Sequence, residues 1–209
     1  VARMRRDFVA NVSHELKTPL TVISGFIETL QELDLDERQR ERFLRLMQEQ
    51  SSSMQRLVQD LLTLSALESE QNVLADEPFA IVPLLLQVSA DAKALSQGQH
   101  EVQLDIADAA MVTGSRDELA SAFGNLVSNA VRYTPAGGTI TLRWRVDCDG
   151  TGVFAVTDSG IGIAPEHLPR LTERFYRVDR SRSRATGGTG LGLAIVKHVL
   201  LRHQAELAI

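Results

Sequence analysis

Between Met4 and Leu67, apolar residues return at intervals of three and four over a far longer stretch than one compact globular helix needs. This stripe does most to limit what the chain can become. Met4, Phe8, Val12, Leu16, Leu20, Ile23, Ile27 and Leu30 form its first half and predict a helix over residues 1–33. Pro19 interrupts that half, and the loss of one backbone hydrogen bond predicts a kink there. Leu33-Asp34-Leu35-Asp36 reads as a turn, with Asp36 as the N-cap of a second helix over 37–70. Phe43, Leu44, Met47, Met54, Leu57, Leu61, Leu64 and Leu67 give that helix a heptad-like stripe, with Ser51-Ser52-Ser53 as a polar break. Two long helices on a short turn make a hairpin. A hairpin cannot bury both faces alone, so two copies are expected to pair as a four-helix bundle, which makes the protein a homodimer.

The pattern changes at 71–78, a polar stretch with Pro78 that reads as a linker. Beyond it, helices are expected at 81–96, 115–133 and 190–203, and strands at 101–106, 110–113, 139–147, 152–158 and 205–209. Ser115-Arg116-Asp117-Glu118 has the form of a capping box, and Ala136-Gly137-Gly138 marks a turn. The second unit is expected to be an α/β sandwich, with helices on one face of a mixed sheet. Only 5% of residues are aromatic, so its core should be built mainly from Leu, Val, Ile and Ala.

The net charge of −5 gives no support for direct nucleic-acid binding. One cysteine, Cys148, rules out an internal disulfide framework and reads as a small residue near a strand end. No apolar run is long enough to span a bilayer. The chain opens in mid-helix pattern without a cap and stops just after a strand-like start, so it is read as part of something longer.

Four segments bear chemistry. In Ser13-His14-Glu15-Leu16-Lys17-Thr18-Pro19-Leu20 an imidazole sits beside a carboxylate, and Thr18 lies one turn on, on the face of His14. A neutral imidazole is a competent nucleophile, Glu15 can orient it or take its proton, and a hydroxyl at Thr18 can position water. Taken alone, that segment is better explained as a surface histidine among ordinary charges. The second runs from Asn125 to Pro135. Asn125, Asn129 and Arg132 fall on one helical face, with Tyr133 beside them; amide oxygens suit Mg²⁺ and a guanidinium suits phosphate. The third is Asp158-Ser159-Gly160-Ile161-Gly162-Ile163 at a strand end. There a carboxylate can accept from an exocyclic amine such as that of adenine, and Gly160 and Gly162 allow close backbone approach. The fourth, Gly188-Thr189-Gly190-Leu191-Gly192, opens an apolar helix and presents backbone amides to an anion. It lacks the Gly-Lys-Ser/Thr ending of a P-loop and the spacing of a dinucleotide-binding turn. Between the last two lie Arg170, Arg174, Arg177, Arg180, Arg182 and Arg184, offset only by Glu166, Glu173 and Asp179, in what reads as a mobile lid over phosphates.

In their order along the chain these segments resemble the H, N, G1 and G2 boxes of the bacterial sensor histidine kinases, and Glu173-Arg174-Phe175-Tyr176-Arg177 resembles their F box. The resemblance covers essentially the whole chain. Arg170 to Arg180, with Thr172 where many relatives have Phe, and Gln204-Ala205 after His203 where many have Gly-Gly, resemble the phosphate-regulon branch of the family. The resemblance implies a dimerisation and phosphotransfer domain over 1–71 and a catalytic ATP-binding domain of Bergerat type over 72–209, truncated at its C-terminal end. It implies that His14 accepts the γ-phosphoryl group of ATP, that Glu15 is its base, and that Thr18 orients water when a phospho-regulator is dephosphorylated. It further implies Mg²⁺ at Asn129 with Asn125 beside it, Arg132 and Tyr133 near the phosphates, and Asp158 on the adenine amine in a pocket shaped by Gly160 and Gly162. Arg177 would reach the γ-phosphate, and Gly188, Thr189, Gly190, Leu191 and Gly192 would line the nucleotide. The implied partner is the receiver domain of a response regulator, in phosphate-starvation signalling. The implied location is the cytoplasmic portion of a bacterial inner-membrane protein. The alternatives are a nucleotide-switched ATPase of the same ATP fold without phosphohistidine, and a docking module that does not bind ATP.

Overall fold

The structure is a computed structural model that describes residues 2–69, 77–178 and 188–209, with side chains from Phe8 onward. Helix α1 (Ala2–Glu32) and helix α2 (Glu37–Glu68) form the expected hairpin. Asp36 starts α2 by accepting the Gln39 N–H at 2.8 Å, and Gln39 returns its Oε1 to the Asp36 N–H at 3.2 Å. This reciprocal cap satisfies two of the amides that a helix start leaves open. Phe26 and Phe43 meet across the hairpin at 5.2 Å between ring centroids. Neither expected interruption breaks a helix. Pro19 lies buried inside α1, and α2 runs through Ser51–Ser53. Serine is a tolerable helix residue when its hydroxyl faces solvent, so a polar triplet alone does not stop a helix held by its apolar face. Both helices leave large apolar side chains uncovered, among them Val9, Leu20, Leu44, Val58 and Leu62.

The second unit orders as β1 (Glu77–Ala80), α3 (Ile81–Ser96), β2 (Glu101–Ile106), β3 (Met111–Gly114), α4 (Arg116–Tyr133), β4 (Thr139–Val146), β5 (Gly152–Asp158), a 3₁₀ helix (Pro165–Arg170) and α5 (Gly192–Arg202). β4 is the centre of a mixed sheet, parallel to β2 and antiparallel to β5, while β1 and β3 pair separately as an antiparallel ribbon. Alternation along β4 sends Ile140, Leu142 and Trp144 into the core. There they join Leu84, Leu85 and Val88 of α3, Phe123 and Val127 of α4, and Ile195 and Val199 of α5. Phe123 stacks on Phe154 of β5 at 4.1 Å between centroids. This is the helices-on-one-face sandwich expected, with a core largely of aliphatic residues.

Two expectations fail. The linker expected over 71–78 ends sooner, because β1 begins at Glu77 and contains Pro78. An edge strand tolerates proline, and β1 is hydrogen-bonded to β3 alone. The strand expected over 205–209 does not form. Instead the chain turns at Gln204 (φ +53°), and the Ala205 N–H closes onto the Leu200 carbonyl at 2.9 Å. A strand needs a partner's ladder, and no described strand pairs with this segment. The domain boundary expected at 71/72 lies outside the described residues. No helix among the described residues is long and apolar enough to cross a membrane.

Candidate functional site

α1 displays His14 on its surface, with 72% of the side chain exposed. The Nδ1 of His14 lies 3.9 Å from Glu15 Oε1. The other oxygen of Glu15, Oε2, lies 3.7 Å from Nη1 of Arg177, which is only 8% exposed. One carboxylate thus stands between the imidazole of the hairpin and a buried guanidinium of the other unit. Thr18 is on the face of His14, as its spacing predicts, and its hydroxyl donates to the His14 carbonyl at 3.2 Å. This back-bond occupies the proton of Thr18 and leaves its lone pairs available.

The nucleotide segments converge on one face of the sandwich. α4 presents Asn125, Asn129 and Arg132 together, and the second glycine segment packs directly against them. A Cβ at Gly192 would stand 2.6 Å from Asn125 Oδ1, and one at Gly188 would stand 3.0 Å from Arg132 Nη1. Asn125 donates its Nδ2 to the Ser121 carbonyl at 2.9 Å, which holds its oxygen toward Gly192. Leu191, the N-cap residue of α5, offers no side-chain acceptor, so the first amides of α5 have no side-chain cap there. The Phe175 N–H donates to the Gly190 carbonyl at 2.8 Å, tying the arginine-bearing segment to the glycine turn. Both residues have positive φ, +62° at Phe175 and +72° at Gly190.

The third segment closes against the end of α4. Asp158 Oδ1 accepts the Gly160 N–H at 2.8 Å, and a Cβ at Gly160 would lie 2.6 Å from the Tyr133 carbonyl oxygen. Asp158 and Tyr133 are exposed at this rim.

Burial pulls the Arg132 guanidinium below its ordinary value; the charges of Arg56 and Arg177 push the same way, while Tyr133 and Asp60 oppose them. A partly desolvated cation beside two more cations would be relieved by an anion, which suits the phosphates of a nucleotide. Among the described residues no group of three or more His, Cys, Asp or Glu is arranged to hold a metal ion. The donor chemistry on α4 is therefore that of amide oxygens, Asn129 foremost, whose side chain makes no hydrogen bond among the described residues. This fits a hard cation that keeps its waters and takes its remaining ligands from phosphate.

The basic loop is less uniform than its sequence suggests. Arg170 is turned to Glu173, with Nη2 to Oε2 at 3.1 Å, and lies over the Tyr176 ring at 4.2 Å. Arg174 pairs with Glu68 of α2. Each of these two arginines is thus paired with a carboxylate. Arg180, Arg182 and Arg184, and with them most of the expected lid, lie outside the described residues.

Sequence reasoning missed the contacts that join the two units. Thr189 Oγ1 donates to Asp60 Oδ2 at 2.6 Å, Glu68 lies 3.2 Å from His198 Nε2, and Phe8 meets Phe175 at 5.8 Å between centroids. Asp60 and Glu68 read in the sequence as ordinary polar positions of an amphipathic helix, and no local pattern marks them.

Comparison with known proteins bears on both units of the chain. Residues 4–70 match the His Kinase A (phospho-acceptor) domain, and residues 114–209 match the histidine kinase-, DNA gyrase B-, and HSP90-like ATPase domain. The chain is 56% identical over 211 residues to the phosphate regulon sensor protein PhoR of Pseudomonas aeruginosa, covering 99% of this chain and 47% of that protein. It is 38% identical over 205 residues to the phosphate regulon sensor protein PhoR of Haemophilus influenzae, covering 98% and 48%. It thus spans about half the length of these relatives. Among solved structures, the Acinetobacter baumannii histidine kinase AdeS superposes with a TM-score of 0.70 at 27% identity, over 90% of this chain and 86% of that one. The histidine kinase ThkA, solved in complex with the response regulator protein TrrA, superposes with a TM-score of 0.69 at 23% identity, over 82% and 50%, which speaks to the fold.

Proposed function

The chain belongs to the sensor histidine kinases, and from that premise we propose that it is the catalytic core of a two-component kinase, which phosphorylates itself on His14 from ATP and passes the group to an aspartate of a response regulator. The observation that carries this reading is Glu15, placed between His14 and the buried Arg177 of the ATP-binding unit. Glu15 is nearest to Nδ1 of His14, which leaves Nε2 as the nucleophile. As the Nε2–P bond forms and the bond from the γ-phosphorus to the β–γ bridging oxygen breaks, ADP departs and the Nδ1 proton moves toward Glu15. At 3.9 Å the two groups are beyond hydrogen-bond reach, so a side-chain rotation must bring them together.

Phosphoryl transfer asks the protein mainly for position and charge neutralisation. Arg132 and Arg177 supply positive charge, the segment of Gly188, Thr189, Gly190, Leu191 and Gly192 lines the phosphates, and Tyr133 flanks them. Asp158, with Gly160 and Gly162, receives the adenine amine. Asn129, with Asn125 beside it, would hold the Mg²⁺ that comes with ATP, whose charge would offset that of the triphosphate. We assign 1–71 to dimerisation and phosphotransfer and 72–209 to ATP binding. The uncovered apolar residues of α1 and α2 support a homodimer through the hairpin. The likeness to PhoR proteins supports a receiver-domain partner in phosphate-starvation signalling, and a position on the cytoplasmic side of a bacterial inner-membrane protein. Thr18 would orient water for removal of phosphate from that partner.

Incubation with γ-labelled ATP and Mg²⁺ tests the reading. Acid-labile, base-stable label is expected in the chain and should be lost in His14→Ala, whereas Thr18→Ala should keep labelling and lose dephosphorylation of the phospho-regulator. Equal label in His14→Ala would remove His14 as acceptor, and dephosphorylation unchanged in Thr18→Ala would remove the role given to that hydroxyl.

A further inference from the structure

The two units meet at a point where a hairpin carboxylate stands in the phosphate-binding face. Asp60 projects from α2, one turn after Arg56 and on the same side of the helix. Its Oδ2 takes the Thr189 hydroxyl at 2.6 Å, a short, charge-assisted bond. The same Thr189 oxygen accepts the Leu191 N–H at 3.3 Å, so one hydroxyl bridges Asp60 to the amide preceding α5. Arg132, whose guanidinium faces Gly188, is close enough to interact with Asp60 electrostatically. Burial pushes the Asp60 carboxyl up, against the opposing pull of Thr189, Arg132 and Arg56. The carboxylate is thus partly desolvated and relies on these three groups.

We propose that Asp60 is a latch that competes with nucleotide phosphate: the carboxylate of α2 uses the Thr189 hydroxyl and the field of Arg132, which a bound triphosphate would claim. This rests on the reading of Arg132 and the Gly188–Gly192 segment as the phosphate-binding face. A triphosphate and a carboxylate that both draw on Arg132 and the Thr189 hydroxyl in a partly dry site repel each other. Triphosphate binding therefore drives Asp60 away from Thr189 and loosens α5 from α2. By linkage, the docked arrangement weakens triphosphate binding by the same factor. Adenosine, which engages only the Asp158 end, is indifferent to the latch. The consequence for the kinase is that ATP itself releases its binding unit from the resting contact with the hairpin and frees it to address His14.

The test is calorimetric titration of the chain, its Asp60→Asn variant and its Asp34→Asn variant with a non-hydrolysable ATP analogue plus Mg²⁺, and separately with adenosine. Asparagine keeps an acceptor for Thr189 and nearly the same shape, so the fold is retained; Asp34, in the exposed turn between α1 and α2, controls for net charge. Asp60→Asn is expected to bind the triphosphate analogue roughly tenfold more tightly, with Asp34→Asn and all adenosine affinities unchanged. Triphosphate affinity of Asp60→Asn equal to the unaltered chain overturns the latch while leaving the kinase reading intact, as does equal tightening for adenosine. Failure of every variant to bind the triphosphate overturns the kinase reading and the latch with it.

Discussion

Gly160 has no room for a methyl group. A Cβ there would stand 2.6 Å from the Tyr133 carbonyl oxygen and 2.5 Å from Asp158 Oδ1. The Asp158 carboxylate can rotate, but the Tyr133 carbonyl belongs to the last turn of α4 and cannot. Gly160→Ala should push the turn off α4, cost about 1–3 kcal/mol of stability, and weaken adenosine binding. Denaturant unfolding and a nucleotide titration check this, and a midpoint equal to that of the unaltered chain would remove the argument. The sequence marks these glycines as places where a ring or phosphate can come close, and the protein's own groups come close there too. Gly160, Gly188 and Gly192 clear the protein's own Tyr133 carbonyl, Arg132 and Asn125. Those neighbours come from α4, too distant along the chain for any local pattern to show them. His14, Glu15 and Thr18 needed no such long-range information, because helical spacing alone sets which of them share a face.

α4, which brings Asn125, Asn129 and Arg132 to the site, is held at its start by a cap that the sequence reads only in part. Ser115 Oγ accepts the Glu118 N–H at 3.3 Å, as a capping box requires. The reciprocal bond from Glu118 is absent. Glu118 instead pairs with Arg202 at 3.0 Å, and the Ser115 N–H donates to His203 Nε2 at 3.0 Å. Nδ1 of His203 faces the Val199 carbonyl at 2.8 Å, so the neutral ring donates there and accepts from Ser115. A Cβ at Gly114 would lie 2.5 Å from the ring, and the glycine before the cap makes space for it. Ser115→Ala should lower stability by about 1 kcal/mol. His203→Leu strands a backbone N–H in a tight contact and should cost about 1–3 kcal/mol. Chemical denaturation checks both, and a His203→Leu chain as stable as the unaltered one would remove His203 from the cap. Elements with their own periodicity and caps, such as α2 and α4, are legible from sequence. β1 and residues 205–209 are not, because a strand is decided by a partner as much as by its own residues.

The two units dock through contacts that no single stretch of sequence reveals, since each is made by an ordinary charged or aromatic residue of a separate helix or loop. Arg174 lies over Phe8 at 5.3 Å and pairs with Glu68, and Glu68 also lies 3.2 Å from His198 Nε2. The charged groups facing His198 are therefore Glu68, Arg174 and Lys197. Burial lowers the His198 pKa below its ordinary 6.5; Glu68 opposes this, while Arg174 and Lys197 add to it. Burial is the largest of these effects. The docked state thus binds His198 in its neutral form, and between the lowered value and 6.5 it holds fewer protons than the open or unfolded chain. The part of the docking stability that His198 carries is fully present above pH 6.5 and is lost as pH falls through the lowered value. Acidification from neutrality should therefore open the molecule. Energy transfer between dyes on α2 and the ATP-binding unit, followed against pH, should fall below pH 6.5. His198→Gln, which cannot charge, should flatten that fall. A His198→Gln chain that opens over the same pH interval would place the sensitive proton on another group and leave Glu68 as a fixed pairing site for Arg174 alone.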